Sequence, residues 1–146
     1  MTRKTLTLDL QATCDCGAVS LQASGDVVSM FQCSCERCQK VSGGGHSSVV
    51  LFQAEAIRVV GTTKSYSRPA DSGATFTRHF CPECGTTMQA ESSRAPSLRI
   101  LPAGIFAGNN HWFVPNQLIF ARGHPEWDLV HAALPRYDAY RPEKSA

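Results

Sequence analysis

Long apolar runs are missing from this chain. The longest reach only a few residues, as in Val49-Val50-Leu51-Phe52, and a membrane helix needs about 20. An excess of one charge is missing too. Fourteen basic residues face twelve acidic ones, for a net charge of +2. They are scattered rather than gathered in one stretch, which argues against nucleic acid as a partner. The opening Met1-Thr2-Arg3-Lys4-Thr5-Leu6-Thr7 has basic residues with no apolar core behind them, so no secretory signal is visible. The expected compartment is therefore the reducing cytoplasm. There, clustered cysteines serve as metal ligands or redox groups more often than as structural disulfides. Repeats and low-complexity tracts are also absent, and 146 residues are enough for one domain with a proper core.

Helical periodicity is scarce, and strand patterning takes its place. Leu6, Leu8, Leu10 and Ala12 alternate with polar residues, and so do Ala18, Ser20 and Gln22 with Val19, Leu21 and Ala23. With Cys14 and Cys16 between the two runs, this predicts a hairpin whose turn carries thiols. Further strands are expected at 27–32, 48–53, 57–60, 64–67, 75–80, 86–90, 98–101 and 118–121, with Gly or Pro in most of the gaps. Short helices are expected at 35–41, stopped by Ser42-Gly43-Gly44-Gly45, and at 128–134, ended by Pro135. The chain reads as mainly β, with a loosely structured tail from Pro135 onward.

What the chain does have is seven cysteines in three clusters: Cys14-x-Cys16-Gly17, Cys33-x-Cys35-x-x-Cys38 and Cys81-x-x-Cys84-Gly85. Structural zinc takes four ligands, and catalytic zinc keeps a position open. Seven thiols therefore divide into four and three. Gly17 and Gly85 let backbone amides turn toward metal-bound sulfur, as a zinc knuckle requires. Cys14, Cys16, Cys81 and Cys84 make a four-cysteine site joining two distant hairpins; disulfides or buried thiols are the alternative.

Cys33, Cys35 and Cys38 can converge on one ion, with Cys33 on a strand and the other two on a helical turn. No eighth cysteine completes the set. Water, a substrate sulfur or His46 across the glycine run could take the fourth position. Three thiolates suit the ion to holding a substrate thiolate better than to making hydroxide. Two alternatives stand beside this one. His46 could close a second structural site, or Cys35 and Cys38 could be a redox dithiol, although the βαβ context of a thioredoxin-like motif is absent. The glycine run could let a substrate approach the backbone, or it could be a plain connector. His79 reads as a packing residue or a support for the neighbouring knuckle. His111, His124 and His131 show no ligand spacing. Trp112, Phe113, Trp127 and Tyr137 read as core or pocket lining rather than a platform for bases.

Taken in order, the motifs resemble the glutathione-dependent formaldehyde-activating enzyme family, which includes relatives of centromere protein V. The residues that carry the likeness are Cys14–Gly17, Cys33–Cys38 with Ser42-Gly43, Arg78-His79-Phe80-Cys81 through Cys84-Gly85-Thr86, and the late Arg122, Trp127 and Leu134-Pro135-Arg136-Tyr137. One departure is Gly104-Ile105-Phe106-Ala107, where family members often carry an acidic residue.

The resemblance implies one zinc domain over residues 1–146, with its core at about 6–137. It implies a zinc-bound β-tent-like fold of short antiparallel strands with few short helices. It also implies two zinc ions. Cys14, Cys16, Cys81 and Cys84 would hold the structural one, and Cys33, Cys35 and Cys38 the catalytic one. The implied activity is a carbon–sulfur lyase type that joins glutathione, or another small thiol, to an aldehyde such as formaldehyde, giving S-hydroxymethylglutathione. The competing expectation is a non-catalytic module with two structural zincs that binds a protein partner. Exposed strand edges would allow a homo-oligomer.

Overall fold

Alternation at Leu8, Leu10 and Ala12 builds β1 (Thr7–Thr13), with Leu10 and Ala12 buried and their neighbours exposed. Its antiparallel partner β2 (Ser20–Cys33) sets Ala23 opposite Leu10 and Leu21 opposite Ala12, so one apolar face is continuous across the pair. The computed structural model describes residues 4–142. β2 merges two expected strands, because the ladder to β1 holds the intervening residues: Gly25 pairs with Leu8 and Asp26 with Thr7. The Thr7 hydroxyl also donates to the Asp26 carboxylate at 2.5 Å.

The remaining strands are β3 (Ser47–Gln53), β4 (Ile57–Val60), β5 (Lys64–Pro69), β6 (Thr75–Phe80), β7 (Thr87–Ser92), β8 (Leu98–Pro102) and the two-residue β9 (Leu118–Ile119). Among the described residues there is one α-helix, α1 (Glu36–Ser42), and 3-10 turns at Ala54–Ala56, Ala103–Phe106 and Ala121–Gly123. The mainly β, largely antiparallel expectation is met. α1 ends at Gly43, whose left-handed φ of 73° lets its amide reach the Gln39 carbonyl at 2.9 Å.

Two expectations at the end of the chain are corrected. Residues 128–134 form turns, not a helix. The Asp128 amide closes a turn on the Pro125 carbonyl, and Leu129, which a helix would need to bury, is 89% exposed. The tail is tied down at least to Tyr140. Tyr137 N–H donates to the Leu118 carbonyl, Phe120 N–H donates to the Ala139 carbonyl, and the Tyr140 ring meets Phe120 edge-on at 4.9 Å. The last four residues of the expected loose tail, 143–146, lie outside the described residues.

The chain divides into two compact units, Met1–Ser29 with Val50–Trp112, and Met30–Val49 with Phe113–Ala146. In the first unit β2 lies between β1 and β4, and β5, β6, β7 and β8 form an antiparallel meander. Val19, Leu21, Phe52, Met88, Leu101 and Phe106 are buried there. In the second unit, β9 runs parallel to the end of β2, with Gln32 opposite Leu118 and Cys33 opposite Ile119. Cys33, Ile119 and Phe120 form its small core, with Phe31, Cys35, Cys38, Tyr137, Ala139 and Tyr140 packed against it.

Candidate metal centres

The turn of the β1–β2 hairpin is closed by two bonds, Cys14 N–H to the Val19 carbonyl at 2.9 Å and Gly17 N–H to the Cys14 carbonyl at 3.0 Å. The turn before β7 repeats this device, with Gly85 N–H on the Cys81 carbonyl at 2.8 Å. Gly17 and Gly85 adopt φ of 83° and 79°, a conformation that glycine reaches without strain.

These turns bring Cys14, Cys16, Cys81 and Cys84 together, their sulfurs all within 4.8 Å of one another. Cys14 to Cys16 and Cys16 to Cys81 are each 3.7 Å. Zinc–thiolate bonds of about 2.3 Å in a tetrahedron place sulfurs roughly 3.8 Å apart. The donor set and its spacing therefore fit zinc. The Val19 amide donates to the Cys14 sulfur at 3.2 Å, and the Thr86 hydroxyl lies 3.2 Å from the Cys84 sulfur. The Thr86 contacts draw the Cys84 thiol down to about 6. Cys16 goes the other way, to about 12: the Ala18 amide pulls it down, but burial and the neighbouring thiols outweigh it. Four thiolates this close repel one another, and a cation is what lets all four ionise together.

The second set lies where β2 runs into α1. Cys33 ends the strand, Cys35 caps the helix by accepting the Cys38 amide on its sulfur at 3.3 Å, and Cys38 sits in the first turn. Their sulfurs also fall within 4.8 Å of one another. Hydrogen bonding from Cys35 and Cys38, with burial behind it, pushes the Cys33 thiol far up. For Cys38 the bond with Cys33 pulls down, but Cys35 and burial carry the thiol to about 11. The trio fits a soft divalent ion through three sulfurs.

Ser34, between two of these cysteines, is completely buried. Its hydroxyl donates to the Gly45 carbonyl at 2.8 Å, and its carbonyl accepts from the Gln39 amide group at 2.9 Å. The same Gln39 group donates to the Gly123 carbonyl at 3.0 Å, and the Ser47 hydroxyl donates to the Cys38 carbonyl at 3.1 Å.

His46 does not group with the three thiols. Its Nδ1 lies 2.5 Å from Asp128 Oδ2, and His124 Nε2 lies 2.8 Å from the same oxygen. The spacing of His124 and Asp128 carried no signal beyond a separation of four residues, and nothing in the sequence tied them to His46, 82 residues from Asp128. The glycine run acquires a specific role here. A Cβ on Gly45 would fall 2.3 Å from Asp128 Cβ and 2.4 Å from its Cγ. Gly45→Ala is expected to cost about 1–3 kcal/mol by overpacking, measured by urea unfolding, whereas Gly44→Ala, with 3.8 Å to its nearest neighbour, should be close to neutral.

His79 pairs with Glu91 across β6 and β7 at 2.8 Å, with Arg99 3.5 Å from the other carboxylate oxygen. The pair ties β6 to β7. Trp112, Phe113 and Tyr137 are half-buried. Trp127 is 70% exposed and is neither core nor lining. Among the described residues no helix is long and apolar enough to cross a membrane.

A family model described as "Glutathione-dependent formaldehyde-activating enzyme" matches residues 9–123, which span all seven cysteines. A crystal structure of a Rhodobacter sphaeroides protein is similar in fold. It is 19% identical, covers 70% of this chain and 93% of its own, and has a TM-score of 0.56. No functionally curated protein matches the chain.

Proposed function

We propose, since the chain belongs to the glutathione-dependent formaldehyde-activating enzyme family, that it is a carbon–sulfur lyase-type enzyme acting on a thiol–aldehyde adduct such as S-hydroxymethylglutathione. The observation that carries this reading is the convergence of Cys33, Cys35 and Cys38 without a fourth cysteine. A zinc ion held by these three residues would supply Lewis acidity that holds an incoming thiol as its thiolate at neutral pH.

In the synthetic direction the thiolate sulfur attacks the aldehyde carbon. The carbon–sulfur bond forms as the carbonyl π bond breaks, and the oxygen takes up a proton. Cleavage reverses each step. The chain's own residues fix the trio and flank it. Cys35 and Cys38 are fixed by the helix cap and by Ser47, and the packed aromatics Phe31, Tyr137 and Tyr140 give the thiol trio an apolar side. With His46 engaged by Asp128, the proton for the new hydroxyl comes from water in this scheme. A reducing cytoplasm, where small thiols are kept reduced, is the compartment that suits it.

Exchange spectroscopy by NMR on formaldehyde, glutathione and their adduct tests the proposal. Zinc-loaded protein should raise the exchange rate well above the protein-free control, because the adduct also forms spontaneously. An unchanged rate removes the activity and leaves the fold and family assignment standing.

A further inference from the structure

His46, His124 and Asp128 use none of the chemistry assigned to the thiols, yet they form a built cluster in the second unit. We propose that these three residues form a third site, separate from both thiol sets, for a divalent first-row transition ion of the zinc class. The site consists of two imidazole nitrogens and one carboxylate oxygen. It does not depend on the lyase proposal.

Ligand atoms of all three residues lie within 4.8 Å of one another. Both imidazoles point at a single oxygen, Asp128 Oδ2, at 2.5 and 2.8 Å. Around an ion with bonds of about 2.0–2.2 Å, neighbouring ligand atoms sit roughly 3.4 Å apart. The rings therefore need to swing outward by less than an ångström to admit one. Imidazole with carboxylate is also the donor set that suits zinc and its neighbours, in contrast to the all-sulfur sets of the other two sites.

The side chains of His46, Asp128 and His124 are 20%, 15% and 9% exposed, so the cluster is largely withdrawn from water but still reachable. Burial opposes charge on Asp128, but the two imidazoles overcome it and keep the carboxyl below its usual range. Gly45 leaves the space that the carboxylate occupies, and no larger residue would. His46 Nε2 is held from behind by the Gln32 side-chain amide at 3.1 Å, which also reaches the Ser48 hydroxyl at 3.3 Å. Metal-bound histidines are also oriented through their other nitrogen, which then acts as the donor. An ion on Nδ1 would require His46 to carry its proton on Nε2 and Gln32 to present its amide oxygen to that proton.

Cobalt(II) gives the test its resolution. At thiolate sites it produces intense sulfur-to-metal charge-transfer bands in the near ultraviolet. At a nitrogen and oxygen site it produces only weak visible bands. Full-length protein, His124→Gln and Asp128→Asn are titrated with cobalt, and bound metal is counted after gel filtration. The wild-type protein should hold one more equivalent than either variant, while the charge-transfer bands stay equal in all three. Equal stoichiometry across the three overturns the proposal and leaves a hydrogen-bonded cluster.

A measurement on wild-type protein covers the case in which a variant fails to fold. Imidazole nitrogen resonances are followed as zinc is added beyond saturation of the thiols. Those of His46 and His124 should shift together, while those of His79, His111 and His131 hold still. No shift at His46 and His124 also overturns the proposal.

Discussion

Cys81→Ser is expected to unfold the first unit. Cys81 is completely buried. Its amide donates to the Thr86 carbonyl at 2.9 Å, its carbonyl accepts Gly85 N–H at 2.8 Å, and its sulfur lies 3.7 Å from that of Cys16. Serine keeps the backbone bonds but offers no thiolate. The ion that fits the four sulfurs would then lose a ligand, and in sites of this kind metal binding is folding free energy. The thermal midpoint should fall by roughly 10 °C or more, and a strong chelator should do the same to the wild-type protein. Circular dichroism melts check both. A midpoint within a degree or two of wild type would show that these four cysteines do not staple the unit.

The second large effect is of a different kind. Cys33→Ser should abolish turnover and leave the fold in place. The side chain sits in a small core with Ile119 and Phe120, so the loss of packing costs only about 1–2 kcal/mol. Exchange rates measured as above should drop to the protein-free value, with the thermal midpoint lowered by a few degrees. The contrast with Cys81→Ser is what decides. If Cys33→Ser melts the protein as badly, the thiol trio is a structural site, and the competing picture of a partner-binding zinc module takes its place.

Much of this was legible in the chain. The thiol-bearing hairpin turn and the second knuckle follow from local signals: alternation that stops at Cys14, and glycine after each pair. The capped turn that carries Cys35 and Cys38 is equally local. What failed was non-local. The break expected between 18–23 and 27–32 disappears because β1 supplies partners through Gly25 and Asp26. The helix expected at 128–134 is lost because Asp128 is drawn to His46 and His124, leaving a short segment without a buried face to support it. The His46–His124–Asp128 cluster was invisible for the same reason. His124 and Asp128 share one loop, but His46 is 82 residues from Asp128, and no spacing rule relates them.

The separation of Cys16 from Cys81 is 65 residues, and that distance also sets an order of events. A chain made from its N-terminus completes Cys14 and Cys16 early and must wait for Cys84 before all four ligands exist. Through that interval the first pair is a half-site, weak for metal and open to oxidation. Closing so long a loop carries an entropy cost that grows only as the logarithm of its length, so the delay is one of timing more than of equilibrium. Refolding of the first unit should therefore be gated by the meeting of its two hairpins, and metal supplied before that meeting should do little to hasten it.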